Sequence, residues 1–153
     1  MAFLESTKKF NIIAPINQLG YGVTGLNVIK SLLSSGHDVS LFVLGQLQAD
    51  PKLHDFLKGC FEASRMPDFY APCLRIWHQH DMAEWVGSGE KIGFPIFELN
   101  KFTPQEMHHL KHPDKLFVCS QWAKDIVVEQ LGDSIKEENV YVFIGARKNN
   151  KKD

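Results

Sequence analysis

Short apolar runs alternate along this chain with stretches whose apolar residues recur every three or four positions. The short runs are bounded by glycine, proline or aspartate and predict strands, whereas the longer periodicity predicts helices. Most of the strands are apolar on both faces, as in parallel sheets that helices cover on both sides. We therefore predict an α/β fold with a single Rossmann-like parallel sheet sandwiched by helices. The predicted strands cover residues 9–16, 38–45, 73–81, 91–100, 115–120 and 139–145.

Local sequence signals mark the starts of three predicted helices. Pro51 follows Asp50 and suits the first helical position. Thr103 and Glu106 form a capping box, in which each side chain satisfies a backbone amide of the other residue. Ser120 is an N-cap residue for the next helix. The predicted helices cover residues 24–35, 51–59, 104–112 and 121–132.

The length and composition are those of one soluble domain. The chain has 153 residues, of which 44% are hydrophobic and 23% are charged. We assign residues 1–146 to the domain and residues 147–153 to a charged tail that is expected to be disordered. No apolar run approaches the ~18 residues of a membrane span, and the start, MAFLESTKKF, lacks the organisation of a secretory signal. The expected location is the cytoplasm.

The charge of the chain argues against a general nucleic-acid binder. The net charge is −1, whereas proteins of that class concentrate positive charge. The tail, RKNNKKD, carries four positive residues and one negative residue. A short basic end is ordinarily solvated and mobile, and contact with an anionic partner is the alternative.

The three cysteines, Cys60, Cys73 and Cys119, follow no spacing typical of a metal or redox site. Cys73 and Cys119 lie in or beside predicted strands. We therefore expect reduced, buried thiols, as in a cytosolic protein.

The stretch GYGVTG lies at the end of the first predicted strand, and open parallel sheets bind ligands at the carboxyl ends of their strands. The stretch fits the pattern G-x-G-x-x-G between a strand and a helix. A dinucleotide site would need the glycines directly after the strand and a carboxylate at the end of the second strand. Here the residues NQL intervene, and the second strand ends in VLGQ. A glycine loop that approaches another phosphate, or a purely structural turn, fits better.

The third strand is predicted to end in HQHD, which brings His78, His80 and Asp81 to the same edge of the sheet. Alternate residues of a strand share a face, so the two histidines could together bind a metal. A metal hydrolase would need further ligands from other strand ends. The histidines of HHLKH, residues 108–112, are predicted to lie on a helix, where exposure to solvent is the simpler account. We favour a cleft histidine that contacts substrate or carries a proton.

Glu98 follows an apolar strand and is expected to face the crevice at the carboxyl ends. A carboxylate there is costly to bury unless it is paired or used. Substrate binding or catalysis is one explanation, and an ion pair with Lys101 is the other. Asn100 lies two residues further on and is a candidate substrate-binding residue. No nucleophile elbow G-x-S-x-G and no phosphate loop G-x-x-x-x-G-K-[ST] occurs, which argues against hydrolases and nucleoside triphosphatases.

The order of these motifs resembles the N-terminal domain of family 4 (group 1) glycosyltransferases, which have the GT-B architecture. In residues 93–132 a strand ends in Phe97 and Glu98, a helix follows, and Asp114 precedes the sequence SQW at the start of the next helix. The first strand, the segment NQLGYGVTG, its helix and SGHDVSLFV also resemble the start of that domain. The resemblance covers roughly residues 9–147.

This resemblance implies an acceptor-side domain that closes over a nucleotide-sugar held mainly by a second, C-terminal domain. Gly20 and Gly22 would approach the donor diphosphate, where backbone amides stabilise the charge of the leaving group. Glu98 would lie near the acceptor and the reacting sugar and is the catalytic candidate. His78 and His80 would lie on the acceptor side of the cleft. The nucleotide-sugar is a substrate in this reaction, and no cofactor or metal is expected.

The chain departs from the family pattern near its end. Family members continue through a linker resembling V-x-V-x-P-x-G-V-D into the donor domain, whereas this chain reads VYVFIGAR and then KNNKKD. The expected function is sugar transfer from a nucleotide-sugar donor to a hydroxyl acceptor, with a donor-domain subunit or a second copy of the chain as partner. The alternative is a non-catalytic binding module that keeps the fold. A nucleotide-cofactor oxidoreductase is disfavoured by the missing carboxylate after the second strand.

Overall fold

The computed structural model describes residues 7–48 and 50–143. Within these ranges the chain forms six strands and four α-helices, and two short 3₁₀ turns precede the last strand. The strands are β1 (Lys9–Ala14), β2 (Asp38–Val43), β3 (Cys73–Trp77), β4 (Lys91–Pro95), β5 (Lys115–Val118) and β6 (Val140–Val142). The helices are α1 (Gly20–Ser34), α2 (Pro51–Ala63), α3 (Pro104–Leu110) and α4 (Gln121–Leu131).

The six strands form one sheet in the order β2-β1-β3-β4-β5-β6. Every neighbouring pair is parallel, so the predicted α/β fold with a single Rossmann-like sheet is confirmed. The chain runs from β1 outward to β2 and then returns past β1 to β3. The order therefore reverses between β1 and β3, which is where doubly wound sheets open a crevice at their carboxyl edge.

The caps predicted for α3 and α4 are present, Pro51 is the first residue of α2 as predicted, and α2 also has a side-chain cap. Asp50 accepts a hydrogen bond from an amide in the first turn of α2. Thr103 and Glu106 form the complete capping box of α3, and the Ser120 hydroxyl accepts from the amide of Ala123 in α4. The start of each of these helices is therefore set by a side-chain hydrogen bond to an amide only two or three residues away.

Helix α1 begins earlier than its apolar periodicity predicts. Its first residue is Gly20, so the prediction of a glycine loop is wrong and GYGVTG forms the first turns of the helix. Glycine costs about 1 kcal/mol in a helix interior relative to alanine, but close packing requires it here. A Cβ atom on Gly22 would overlap backbone atoms of Asn17, and one on Gly25 would lie 3.1 Å from the Cβ of Ala14. The glycines let α1 lie close against β1 and the loop after it.

The predicted strands extend too far at their carboxyl ends. β3 ends at Trp77 and β4 at Pro95, so His78 and Glu98 lie in the loops that follow. The four residues after β3, HQHD, are polar, whereas past β4 the hydrophobic pattern continues because rim residues pack against other loops and helices. Phe97, for example, makes an edge-on contact with Phe102, with ring centroids 5.0 Å apart. Apolar residues alone therefore overestimate the length of β4.

The connection from β3 to β4, residues 78–90, contains no helix, and buried groups hold it in place. Arg75 on β3 is only 1% exposed, and its guanidinium Nη2 lies 2.9 Å from Oδ2 of Asp81. The Arg75 Nε also donates to the Asp81 carbonyl oxygen at 2.8 Å. The next residue of the loop, Met82, donates from its amide to Nδ1 of His109 on α3 at 3.1 Å. The loop that carries two of the candidate histidines is thus held by side chains of β3 and α3.

The core consists of two groups of buried side chains. One involves β1 to β4 with α1 and α2, and the other involves β5, β6, α3 and α4. Between α1 and the strands β4 and β5, an apolar groove of about 250 Å³ remains open. Phe117 and Phe143 line this groove, and Phe143 is 43% exposed. The helices therefore cover the sheet less completely on the α1 side.

The structure bears on three smaller predictions. Cys73 is buried as expected, and Cys60 is buried as well. Cys119 was also expected to be buried, but it is exposed, because it directly follows β5 and lies at the open edge of the sheet. The charged tail, residues 147–153, lies outside the described residues and stays a prediction. Among the described helices, none combines the length and the apolar character needed to cross a bilayer.

Candidate functional site

A cleft of about 600 Å³ opens at the carboxyl edge of the sheet, beside the reversal between β1 and β3. Its walls come from the start of α1 and from the segments that follow β3, β4 and β5. Gly20, His78 and Glu98, three of the predicted site residues, line it together. The fold therefore brings candidates from distant parts of the sequence to one place.

The start of α1 presents unpaired backbone donors beside this cleft. The N-cap residue, Leu19, makes no side-chain hydrogen bond to the helix. The first amide with a partner inside the helix is that of Val23, which donates to the Leu19 carbonyl oxygen at 3.0 Å. In the described part of the chain, the amides of residues 20–22 have no acceptor. Those of Gly20 and Tyr21 lie at the cleft, and the helix dipole adds partial positive charge to them. This wall of the cleft suits an anionic group.

Tyr21 connects α1 to the segments after β3 and β4. Its hydroxyl donates to the carbonyl oxygen of Ile96 at 2.7 Å and lies 2.9 Å from Nδ1 of His78. The His78 ring makes edge-on contacts with the rings of Tyr21 and Trp77, with centroids 4.8 Å and 4.5 Å away. His78 is therefore held by a hydrogen bond and by two aromatic neighbours.

His80 stacks on His78, with ring centroids 4.9 Å apart and planes 12° from parallel. Burial, and then repulsion from His80, lower the pKa of His78, and the carboxylate of Asp81 opposes this in part. At neutral pH the His78 imidazole is therefore uncharged. An uncharged imidazole can accept a hydrogen bond or a proton from a ligand.

Glu98 is an exposed carboxylate in the cleft wall. The proposed ion pair with Lys101 is not formed, since neither ion pair of the described residues involves Glu98. Burial, followed by the charges of Glu98 and Cys119, raises the pKa of Tyr21. The tyrosine hydroxyl therefore keeps its proton across the physiological range. Glu98 remains available to accept hydrogen bonds from a ligand.

Three other predicted site residues do not line the cleft. Gly22 is buried, and its missing side chain makes room for Asn17. His80 is exposed and adjoins the cleft only through its stacking on His78. Asn100 is exposed, and its carbonyl oxygen accepts a hydrogen bond from Gln130. In residues 7–48 and 50–143, no three His, Cys, Asp or Glu side chains are grouped as metal ligands.

Two cleft residues were missed by reasoning from the sequence. Tyr21 occupies a variable position of the G-x-G pattern, and its partner Ile96 is 75 positions away. The only signal in the sequence was a large aromatic residue between two glycines. Gln79 is buried, and its Nε2 donates to Oε1 of Glu106 at 3.2 Å. No sequence signal connects this glutamine to the capping box of α3.

A larger depression of about 810 Å³ lies beside α4 and the 3₁₀ turns, away from the carboxyl edge. Its wall mixes lysines with acidic residues, among them Lys124, Lys136, Glu137 and Glu138. Such a mixture at the surface gives no single sign of charge for a ligand to match. We therefore place the functional site at the cleft beside α1.

Comparisons of the chain with protein-family models, with curated proteins and with solved structures found no match. Function is therefore inferred from the residues of the cleft and their chemistry.

Proposed function

We propose that this chain is the acceptor-side half of a GT-B glycosyltransferase of the family 4 type. It would take part in transferring a sugar from a nucleotide-sugar donor to a hydroxyl acceptor. The observation that carries this proposal is the cleft at the sheet reversal, where the α1 amides, the His78 imidazole and the Glu98 carboxylate meet. A donor-binding domain or subunit would complete the site.

The polar groups of the cleft are of two kinds. The amides of Gly20 and Tyr21, which line the cleft, donate hydrogen bonds and carry partial positive charge, which suits the diphosphate of a sugar nucleotide. In the reaction these amides would stabilise the charge that develops on the departing nucleoside diphosphate. Glu98 only accepts hydrogen bonds and His78 is uncharged, so both suit hydroxyl groups. A nucleotide-sugar carries a diphosphate and hydroxyl groups next to each other.

Apolar side chains are exposed around the same edge. Leu19 is 69% exposed, Trp122 47% and Val23 46%. Leu19 lines the cleft, Val23 lies one turn further along α1, and the Trp122 ring lies near that of Phe97 in the cleft wall, with centroids 6.1 Å apart. Exposed apolar residues grouped at the rim of a polar cleft are typical of a surface that a partner covers. This supports a half-enzyme over which a second domain closes.

Replacing Glu98 with glutamine is expected to weaken the binding of a nucleotide-sugar about tenfold and to leave the binding of the free nucleotide unchanged. A hydrogen bond to a carboxylate contributes about 1.5 kcal/mol, which corresponds to roughly a factor of ten in affinity. Glutamine keeps the shape of the side chain and removes the charge. Chemical-shift titrations of ¹⁵N-labelled protein with UDP-glucose, UDP-N-acetylglucosamine, GDP-mannose, UDP and GDP measure both affinities.

The matched control is Glu129→Gln, which makes the same change at an exposed position on α4 and is expected to alter neither affinity. If none of the nucleotide-sugars shifts the amides of residues 19–21 or 96–98 in the wild type, the proposed function is wrong. Equal weakening of nucleotide-sugar and free nucleotide by Glu98→Gln would mean that Glu98 does not contact the sugar. Binding without transfer, after a donor domain is supplied, would favour the non-catalytic module.

A further inference from the structure

The Tyr21 hydroxyl has one hydrogen and two hydrogen-bond partners. The carbonyl oxygen of Ile96, at 2.7 Å, can only accept. Nδ1 of His78, at 2.9 Å, can donate or accept, depending on where the imidazole carries its hydrogen. Because the hydroxyl hydrogen is used on Ile96, the second contact is a hydrogen bond only if Nδ1 is protonated. In a neutral imidazole that leaves Nε2 with a free lone pair.

We propose that Tyr21 is a positioning residue that holds His78 as the Nδ1–H tautomer, so that Nε2 accepts a hydrogen bond from a hydroxyl or N–H group of the ligand. None of the hydrogen bonds found among the described residues uses Nε2 of His78. In the opposite tautomer Nδ1 and the Ile96 carbonyl oxygen would both be acceptors, and the single hydroxyl hydrogen of Tyr21 could serve only one of them, so one of the two hydrogen bonds would be lost. The tautomer of a histidine is set by the bond that its other nitrogen makes.

Three separate elements fix this arrangement. Tyr21 belongs to the first turn of α1, His78 follows β3 and Ile96 follows β4. The acceptor at Ile96 is a main-chain atom, so its position is set by the sheet and not by a side-chain rotamer. The edge-on contact of Trp77 with His78 limits rotation of the imidazole from another side. The hydroxyl therefore meets Nδ1 in a geometry that the fold determines.

On balance, the surroundings of His78 favour its neutral form, which is the form in which a choice of tautomer exists. The titratable groups around it are His80 and Asp81 from its own loop and Tyr21 from α1, and Glu98 and Cys119 line the same cleft after β4 and β5. Burial and the neighbouring imidazole of His80 lower the pKa of His78, and Asp81 offsets part of this effect. The neutral imidazole is therefore the main species at neutral pH.

The tautomer defines which ligand atom fits beside His78. A bare Nε2 repels a phosphate or carboxylate oxygen and binds the hydrogen of an alcohol. Together with Glu98, which also only accepts, His78 makes a part of the cleft that selects hydroxyl groups, while anionic groups fit the α1 amides. The ligand class is thus a molecule with a hydroxyl group oriented toward Nε2. The assignment of this hydroxyl group to the sugar or to the acceptor rests on the proposed function.

Long-range ¹H–¹⁵N NMR of the histidine side chains tests the tautomer without any ligand. The signals of His78 are assigned by their absence from the spectrum of His78→Asn. At mildly alkaline pH, the wild-type signals are expected to show a protonated Nδ1 and an unprotonated Nε2. In Tyr21→Phe, the hydrogen-bond acceptor for Nδ1–H is gone. We expect the two nitrogen shifts to converge as the Nε2–H form becomes populated.

Tyr70→Phe is the matched control, because Tyr70 is 86% exposed, and it is expected to leave the His78 shifts unchanged. Finding the Nε2–H form in the wild type, or unchanged His78 shifts in a folded Tyr21→Phe protein, would overturn the proposal. The wild-type spectrum decides the question even if Tyr21→Phe does not fold. A correct tautomer with no binding of nucleotide-sugars would contradict the proposed function and leave the role of Tyr21 intact.

Discussion

Replacing Gly22 with alanine is expected to lower the free energy of unfolding by about 2–3 kcal/mol. The new Cβ would overlap the backbone nitrogen and oxygen of Asn17 as well as its side chain. Asn17 has little freedom to retreat, since its Oδ1 accepts a hydrogen bond from the Leu19 amide at 2.9 Å and the preceding Ile16 is buried. Overpacking of this kind typically costs about 1–3 kcal/mol, and the contact with backbone atoms places this site at the upper end. Urea unfolding followed by circular dichroism measures the change.

Gly20→Ala is the matched control, two positions earlier in the same helix. A Cβ on Gly20 meets no atom within 4 Å, and its φ angle is not positive. Alanine there should raise the free energy of unfolding by about 0.5 kcal/mol, because it restricts the unfolded chain and favours the helix. If both substitutions have similar effects, α1 does not lie as close to Asn17 as the structure shows. Gly20→Ala keeps the backbone amide, so its effect on ligand binding should be small.

The contrast between Gly20 and Gly22 shows what the pattern G-x-G-x-x-G means in this chain. The first glycine is exposed at the cleft, the second makes room for Asn17, and the third, Gly25, makes room for Ala14. Two of the three glycines are therefore explained by packing. The amides of the first turn remain suited to an anion, and this does not depend on a glycine loop.

Much of the fold could be predicted because its signals are local. Thr103 and Glu106 are three residues apart, and their capping box forms from near neighbours. The apolar strands and their alternation with helices also follow from short windows of sequence, and these give a parallel sheet. The end of β4 was misplaced because rim residues such as Phe97 are apolar for reasons of packing between elements, and that of β3 because the polar residues HQHD carry no clear signal for a strand end.

The cleft could be predicted only in part, because several of its contacts join residues that are far apart in the sequence. The rule that ligands bind at the carboxyl ends of parallel strands was enough to identify Gly20, His78 and Glu98 as candidate site residues. Tyr21 was not found, because its role depends on a carbonyl group that the sheet brings from a distant strand end. Arg75 was not found either, since nothing in an apolar strand sequence shows that its charge is paired across a loop.

The pairing of Arg75 leads to the second large effect: replacing Asp81 with alanine is expected to lower the free energy of unfolding by about 3 kcal/mol. The Arg75 side chain is 2% exposed and that of Asp81 39%. Removing the carboxylate leaves a guanidinium buried without its counter-charge, and such a loss typically costs about 3–5 kcal/mol. The lower figure applies because Asp81 is partly hydrated and its carbonyl oxygen still accepts from Nε. Urea unfolding of the variant measures this difference.

Arg75→Met should cost less, about 1 kcal/mol, although it removes the larger and more buried partner. The methionine fills much of the same apolar space, and the remaining Asp81 carboxylate can turn toward water. The double variant Arg75→Met/Asp81→Ala should then resemble Arg75→Met, because the cost of Asp81→Ala comes from the stranded guanidinium. Glu90→Gln, at the surface ion pair with Lys115, is the control and should change stability little. If Arg75→Met proves more damaging than Asp81→Ala, the arginine acts mainly through packing, and the ion pair is not what holds the loop that carries His78.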